Sequence, residues 1–92
     1  AMTLTVLAQE RVTVSGQIRA SDTNQPLPGV NVAVKGSTQG TTTNGEGRYS
    51  LDAPASSTFV FSSIGYATQE VPVGNRSTID LTLQADASTL GE

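Results

Sequence analysis

Carboxylates are the main side chains of this 92-residue chain that could take part in catalysis, because the chain has neither histidine nor cysteine. The commonest general base and transition-metal ligand, and any thiolate nucleophile or disulfide, are thereby missing. Two carboxylates can act together only if a pocket holds them near each other. The acids instead fall in turns or on polar faces: Glu10, Asp22, Glu46, Asp52, Glu70, Asp80, Asp86 and Glu92. We therefore expect solvated surface charges and no enzyme.

Two polar loops could offer oxygen atoms to a calcium ion. Asp22 and Asn24 stand at alternate positions in one loop, and Asn44 and Glu46 do so in another. A dedicated calcium loop carries a run of acidic ligands, which neither segment has. We expect no cofactor, and the sequence leaves open whether a turn binds calcium.

The charge pattern argues against a nucleic-acid partner. The net charge is −3 and the five basic residues are scattered singly, whereas a phosphate-binding surface collects such residues into a patch. Direct insertion into a membrane is not expected either, since no apolar run approaches the roughly 18 residues that cross a bilayer as a helix.

Sugar binding would need an exposed aromatic ring flanked by polar groups. Phe59 and Phe61 alternate within the most apolar segment, and Tyr49 stands beside an inward-facing leucine, so Tyr66 is the aromatic residue free to face outward. Tyr66 and Gln69 are therefore the candidates for a weak ligand platform. The alternative is structural: Gly65 breaks the strand alternation, and Tyr66 then caps the core at a corner. The pattern favours the corner.

Period-two alternation recurs along the chain and predicts seven strands. They cover residues 12–19, 30–34, 41–43, 48–52, 58–64, 67–73 and 78–84. Residues 44–47, Asn-Gly-Glu-Gly, predict a hairpin with a type I′ turn, and residues 74–77 predict a second hairpin. Short strands joined by polar turns predict an all-β fold, a seven-stranded antiparallel β-sandwich that is immunoglobulin-like in the loose sense.

The threonine run is the candidate interaction surface. Thr41, Thr42 and Thr43 are β-branched, polar and few, which is typical of a short edge strand. An exposed edge can accept a strand from a partner, although a solvated edge without a partner fits the same residues.

The ends of the chain read differently from its middle. Residues 1–8 resemble the end of a secretory signal, with Val6 and Ala8 at the positions that precede a cleavage site, or else a disordered leader; an ordinary first strand is the alternative. The sandwich domain is predicted over 9–85, and residues 86–92 form a tail.

An ordered set of motifs runs through the predicted strands. The motifs are VSGQI at 14–18, QPLPGVNV at 25–32, VKGS at 34–37, GTTTNGEGRYSL at 40–51 and FSSIGY at 61–66. From about Arg11 to Leu83 the chain resembles the carboxypeptidase regulatory-like (carboxypeptidase D regulatory-like) domain. More narrowly, it is similar to the copy at the N-terminus of SusC/RagA-type TonB-dependent outer-membrane transporters.

The resemblance implies a transthyretin-like (prealbumin-like) sandwich at the periplasmic face of the Gram-negative outer membrane. It implies a non-catalytic accessory domain of a glycan or peptide transporter, acting as a spacer or protein-interaction module. The expected partners are the plug and barrel of the same transporter, with room for an unidentified periplasmic protein. The tail 86–92 would lead toward a TonB box and plug that this chain lacks. The alternative function is a small carbohydrate-binding β-sandwich module of a secreted or cell-surface protein.

Overall fold

A computed structural model describes residues 11–86, which form seven strands and no helix. The strands are β1 (Arg11–Ala20), β2 (Asn31–Val34), β3 (Gly40–Thr42), β4 (Arg48–Pro54), β5 (Thr58–Ser63), β6 (Tyr66–Pro72) and β7 (Leu81–Leu83). All seven predicted strands are present, and the all-β sandwich is confirmed. The predicted leader 1–8 and all of the tail except Asp86 lie outside the described residues. No helix within 11–86 could cross a membrane.

The strands divide into two sheets. One sheet has the order β4-β1-β7 and the other has the order β3-β2-β5-β6. The pairs are antiparallel except for β1 with β7, which run parallel with Ile18 opposite Leu81 and Ala20 opposite Leu83. The expected antiparallel sandwich therefore has one parallel pair. It arises because β7 follows a crossover from the other sheet instead of turning back beside β6.

The two predicted hairpins are wrong for the same reason. β3 and β4 lie in different sheets, as do β6 and β7, so residues 44–47 and 74–77 cross between the layers. In the first crossing the Asn44 side-chain oxygen accepts the main-chain N–H groups of Glu46 and Arg48 at 2.9 and 3.0 Å. Gly47, with φ of 74°, is the residue of this turn that takes positive φ. A type I′ turn would need positive φ at Asn44 and Gly45 instead.

The core lies between the two sheets and is built from the alternating residues of both. Phe59 and Phe61 of β5 are fully buried, as expected, and Tyr49 of β4 is 5 % exposed. The ring of Phe61 meets Tyr49 edge-on at 5.7 Å and Phe59 at 6.2 Å between centroids, an arrangement that aromatic quadrupoles favour. Burying each phenylalanine contributes about 1.5–3 kcal/mol. Aliphatic residues fill the rest: Val14, Ile18, Val30, Val32, Val34, Leu51, Ala53, Val73, Ile79 and Leu83.

Candidate interaction edge

β3 forms one edge of the four-stranded sheet and pairs with β2 on its inner side. Gln39 accepts the N–H of Val34 at 3.0 Å, and Thr43 donates its N–H to Val30 at 3.0 Å. Main-chain groups alternate in an antiparallel pair. Residues 39, 41 and 43 therefore turn their main-chain groups toward β2, and Gly40 and Thr42 turn theirs toward the open side.

The three predicted edge threonines have different surroundings. Thr42 is exposed and lies opposite Asn31, while Thr41 is half-buried opposite the core residue Val32. Thr43 lies just beyond β3 and is 5 % exposed. The structure thus brings Thr41 and Thr42 to the edge and places Thr43 inside the sandwich.

Thr43 is a buried clamp between two loops. Its hydroxyl donates to the Leu27 carbonyl at 2.7 Å and accepts the Val30 N–H at 2.9 Å. Its main chain pairs with Gly29 and Val30. Nothing in the local pattern distinguishes Thr43 from its neighbours, because these partners are 13–16 residues away along the chain.

A shallow groove lies beside the β3 edge on the outer face. It is lined by Asn31, Val32, Ala33, Thr38, Gln39, Gly40, Thr41 and Thr42. Each of these residues is uncharged. Ala33 and Gly40 stand opposite each other and form the floor of the groove. Neither has a side chain longer than a methyl group, so no side chain fills the groove at this point.

Tyr66 and Gln69, the predicted ligand platform, both make contacts within the sandwich. The Tyr66 ring is half-buried against the core, and its hydroxyl donates to the Asp22 carboxylate at 3.2 Å. Gln69 donates its side-chain amide to the Thr82 carbonyl of β7 at 3.2 Å, which joins the two sheets. Tyr66 therefore lies at a corner of the core, and Gln69 ties β6 to β7.

The two tyrosines are the titratable groups that the fold perturbs most clearly. Burial raises the pKa of Tyr49 to about 12, with a smaller contribution from the Asp80 carboxylate. The Tyr49 hydroxyl donates to the Ile79 carbonyl at 2.7 Å. Desolvation and the neighbouring Asp22 carboxylate raise the pKa of Tyr66. Both shifts favour the neutral phenol, which suits structural hydrogen-bond donors and not bases.

The two candidate calcium loops use much of their polar capacity internally. The Asp22 carboxylate accepts the Tyr66 hydroxyl, and the Asn44 side-chain oxygen holds its own turn. The Asn24 carbonyl accepts the Arg19 guanidinium at 3.2 Å. Within residues 11–86, no three acidic side chains come together as a metal site would require.

The β5–β6 hairpin tip is a surface feature that the sequence analysis missed. Ile64 stands at the tip and is 98 % exposed, and Gly65 follows with φ of 88°. Residues 84–86 run back along this hairpin, with Ala67 donating to Gln84 and Asp86 donating to Gly65, both at 2.9 Å. The last described residues, 84–86, therefore lie beside the hairpin tip that carries the exposed side chain of Ile64.

The sequence profile of the CarboxypepD_reg-like domain matches residues 14–92. The chain belongs to this family, and the resemblance drawn from its motifs is confirmed.

Relatives of the chain are TonB-dependent receptors. TonB-dependent receptor P39 of Formosa agariphila is 49% identical over 80 residues, and TonB-dependent receptor SusC of Bacteroides thetaiotaomicron is 37% identical over 83 residues. These matches cover 86% and 90% of this chain but only 8% of each receptor. The chain is thus homologous to one small part of a much longer polypeptide.

A solved structure supports the fold. A chain of a type II cohesin–X-dockerin complex from Acetivibrio cellulolyticus superimposes with a TM-score of 0.59 at 25% identity. The match covers 77% of this chain and 52% of that chain.

Proposed function

We propose that this chain is the N-terminal accessory domain of a SusC/RagA-type TonB-dependent outer-membrane transporter for glycans or peptides. One observation carries the proposal: the match to TonB-dependent receptors spans 86–90% of this chain but 8% of theirs. A unit of that size is too small to form the transport pathway, so it is an accessory part of the transporter. It lies on the periplasmic side, next to the plug and barrel of the same polypeptide.

The domain acts without catalysis, as a spacer or as a protein-interaction module. Its charged side chains support this, since six of them form exposed surface pairs and no three acids cluster within residues 11–86. The pairs are Arg11 with Asp52, Lys35 with Glu70 and Arg48 with Glu46. Exposed pairs of this kind each contribute little to stability. In an interaction role, the domain would bind its partner through the β3 edge, where Thr41 and Thr42 lie.

Deletion of the domain from the full-length transporter tests the proposal. The variant lacks residues 11–86 and keeps the signal sequence and everything downstream. We expect normal abundance in the outer membrane and reduced uptake of the transported nutrient. Uptake equal to that of the wild type, at equal abundance, would contradict an accessory role in transport. A gene without a plug and barrel downstream of this domain would contradict the assignment itself.

A further inference from the structure

The sandwich has four edge strands, and in three of them other residues of the chain bind some of the outward main-chain groups. On β4, the Asn44 N–H donates to the Arg48 carbonyl at 2.9 Å and the Asn44 side-chain oxygen accepts the Arg48 N–H at 3.0 Å. The Gln39 side chain donates to the Asp52 carbonyl at 2.5 Å. On β7, the Gln69 side chain donates to the Thr82 carbonyl.

β6 is covered at its two ends. Residues 84–86 bond to its start, and the Arg76 guanidinium donates to the Pro72 carbonyl at its end. Its register against β5 also shifts between Phe61 and Ser63, which disrupts a regular edge. Bulges, prolines and covering segments are the usual means by which natural sheets protect their edges.

The β3 edge has none of these protections in the described chain. Gly40 and Thr42 turn their main-chain groups outward, and no contact within residues 11–86 covers them. The strand contains no lysine, no proline and no bulge. Such an edge is a template for an additional strand.

The groove beside the edge defines the chemistry of the added strand. Because alternate side chains of an added strand fall on the same face, those on the outer face would lie over the low floor at Gly40 and Ala33. The lining is uncharged throughout, so a charged side chain would lose hydration there without gaining an ionic partner. Small or β-branched uncharged side chains fit the space.

We propose that the β3 edge binds an extended, uncharged peptide segment of another protein as an additional strand, a proposal that rests on the interaction role proposed above. A second copy of this chain is a poorer occupant. β3 has three residues, and pairing two such strands would bury far less than the roughly 800 Å² per partner of a stable interface. A peptide can instead contact the edge and the groove at the same time.

Selection from a library of short random peptides displayed on phage tests the proposal on the 92-residue chain. Enriched peptides should be poor in Asp, Glu, Lys and Arg and rich in Val, Thr and Ile. The decisive variant is Thr42→Pro, which removes the outward N–H but leaves the bonds between β3 and β2 intact. We expect it to weaken binding of a selected peptide at least tenfold, equal to about 1.4 kcal/mol. The matched control Thr42→Val keeps the N–H and should bind as the wild type does.

Amide exchange measured by NMR locates the peptide. The amide protons of Gly40 and Thr42 should exchange freely in the chain alone and become protected when a selected peptide is added. No enrichment, enrichment of charged peptides, or binding insensitive to Thr42→Pro would overturn the proposal.

Two further outcomes would assign the edge to another occupant and also overturn the proposal. Protection of both amides in the peptide-free chain would mean that the chain's own residues cover β3. A dimer in sedimentation experiments that Thr42→Pro dissociates would mean that a second copy does. None of these results depends on transport, so the accessory role stands or falls separately with the deletion experiment.

Discussion

Gly16 of β1 lies so close to the main chain of Ile79 that a Cβ atom on Gly16 would stand 1.9 Å from the Ile79 carbonyl oxygen. The approach is part of the ladder between β1 and the segment that leads into β7. Ser15 donates to the Ser77 carbonyl and accepts the Ile79 N–H, both at 3.0 Å. The Gln17 N–H then binds the Asp80 carboxylate at 2.8 Å. Glycine at position 16 therefore allows β1 and the 77–80 segment to pack this closely.

Replacing Gly16 by alanine should strongly destabilise the domain. The methyl group would overlap main-chain atoms, so β1 and the 77–80 segment must separate and their hydrogen bonds must lengthen. We expect the free energy of unfolding, measured by urea denaturation, to fall by about 3 kcal/mol. Gly45→Ala is the matched control, because no heavy atom lies within 4 Å of that position. Equal effects of the two variants would contradict the packing argument.

Thr43→Val should destabilise the domain although the two side chains have nearly the same shape. Valine leaves the Leu27 carbonyl and the Val30 N–H without the hydroxyl that now binds both. Leaving buried polar groups unpaired costs about 1–3 kcal/mol, which thermal or urea unfolding would detect. Thr43→Ser keeps the hydroxyl and should lose less; a serine variant as unstable as the valine variant would argue against the clamp.

Stability should fall as the pH rises from about 10 to about 12. An unfolded tyrosine loses its proton near pH 10, whereas the pKa of Tyr49 in the fold is about 12. Between these values the unfolded state binds fewer protons, so stability decreases with pH. The two-unit shift corresponds to about 3 kcal/mol of stability, fully present below pH 10. Urea midpoints measured across this range check the prediction.

Phenylalanine variants assign the alkaline effect to one tyrosine. Tyr49→Phe should flatten the pH dependence, and Tyr66→Phe should leave most of it. Since the chain has two tyrosines, tyrosinate absorbance in the Tyr66→Phe variant reports Tyr49 alone. A Tyr49 titration near pH 10 in that variant would be incompatible with its burial against the Ile79 carbonyl.

The β5–β6 hairpin should tolerate change at its tip but not in its backbone conformation. Ile64→Thr should alter stability by less than about 0.5 kcal/mol, because the side chain is 98 % exposed. Gly65→Ala should cost about 1–2 kcal/mol, because φ of 88° is unfavourable for an L-residue even though the space around it is open. Thermal unfolding of both variants is the measurement; a more damaging Ile64→Thr would mean that Ile64 packs against something.

Glycans should leave the tyrosine fluorescence of the domain unchanged at millimolar concentration. The Tyr66 hydroxyl donates to Asp22 and the Gln69 amide donates to Thr82, so a sugar would have to compete with contacts that these groups already make within the fold. The chain has no tryptophan, so tyrosine emission can be read directly. A saturable change that disappears in Tyr66→Phe would revive the carbohydrate-binding alternative.

Strand positions could be predicted from the sequence because alternation is a local property. Tyr49, Phe59 and Phe61 occupy core positions as the pattern indicates. The distribution of strands between the sheets could not be predicted, since residues 44–47 and 74–77 have the same turn composition whether the chain turns back or crosses over. Thr43 shows the same limit. Its burial depends on the distant loop at Leu27 and Val30, and the alternation of residues around Thr43 does not reveal that contact.

The parallel pairing of β1 with β7 has a mechanical consequence. β1 begins the described chain and β7 stands near its end, with Ile18 opposite Leu81 and Ala20 opposite Leu83. Tension between the two ends would pull these strands along each other in opposite directions. The bonds between them would then be loaded together, in shear, instead of opening one after another as in a hairpin pulled from its ends. This order of strands makes the domain resist unfolding by a force applied between its two ends.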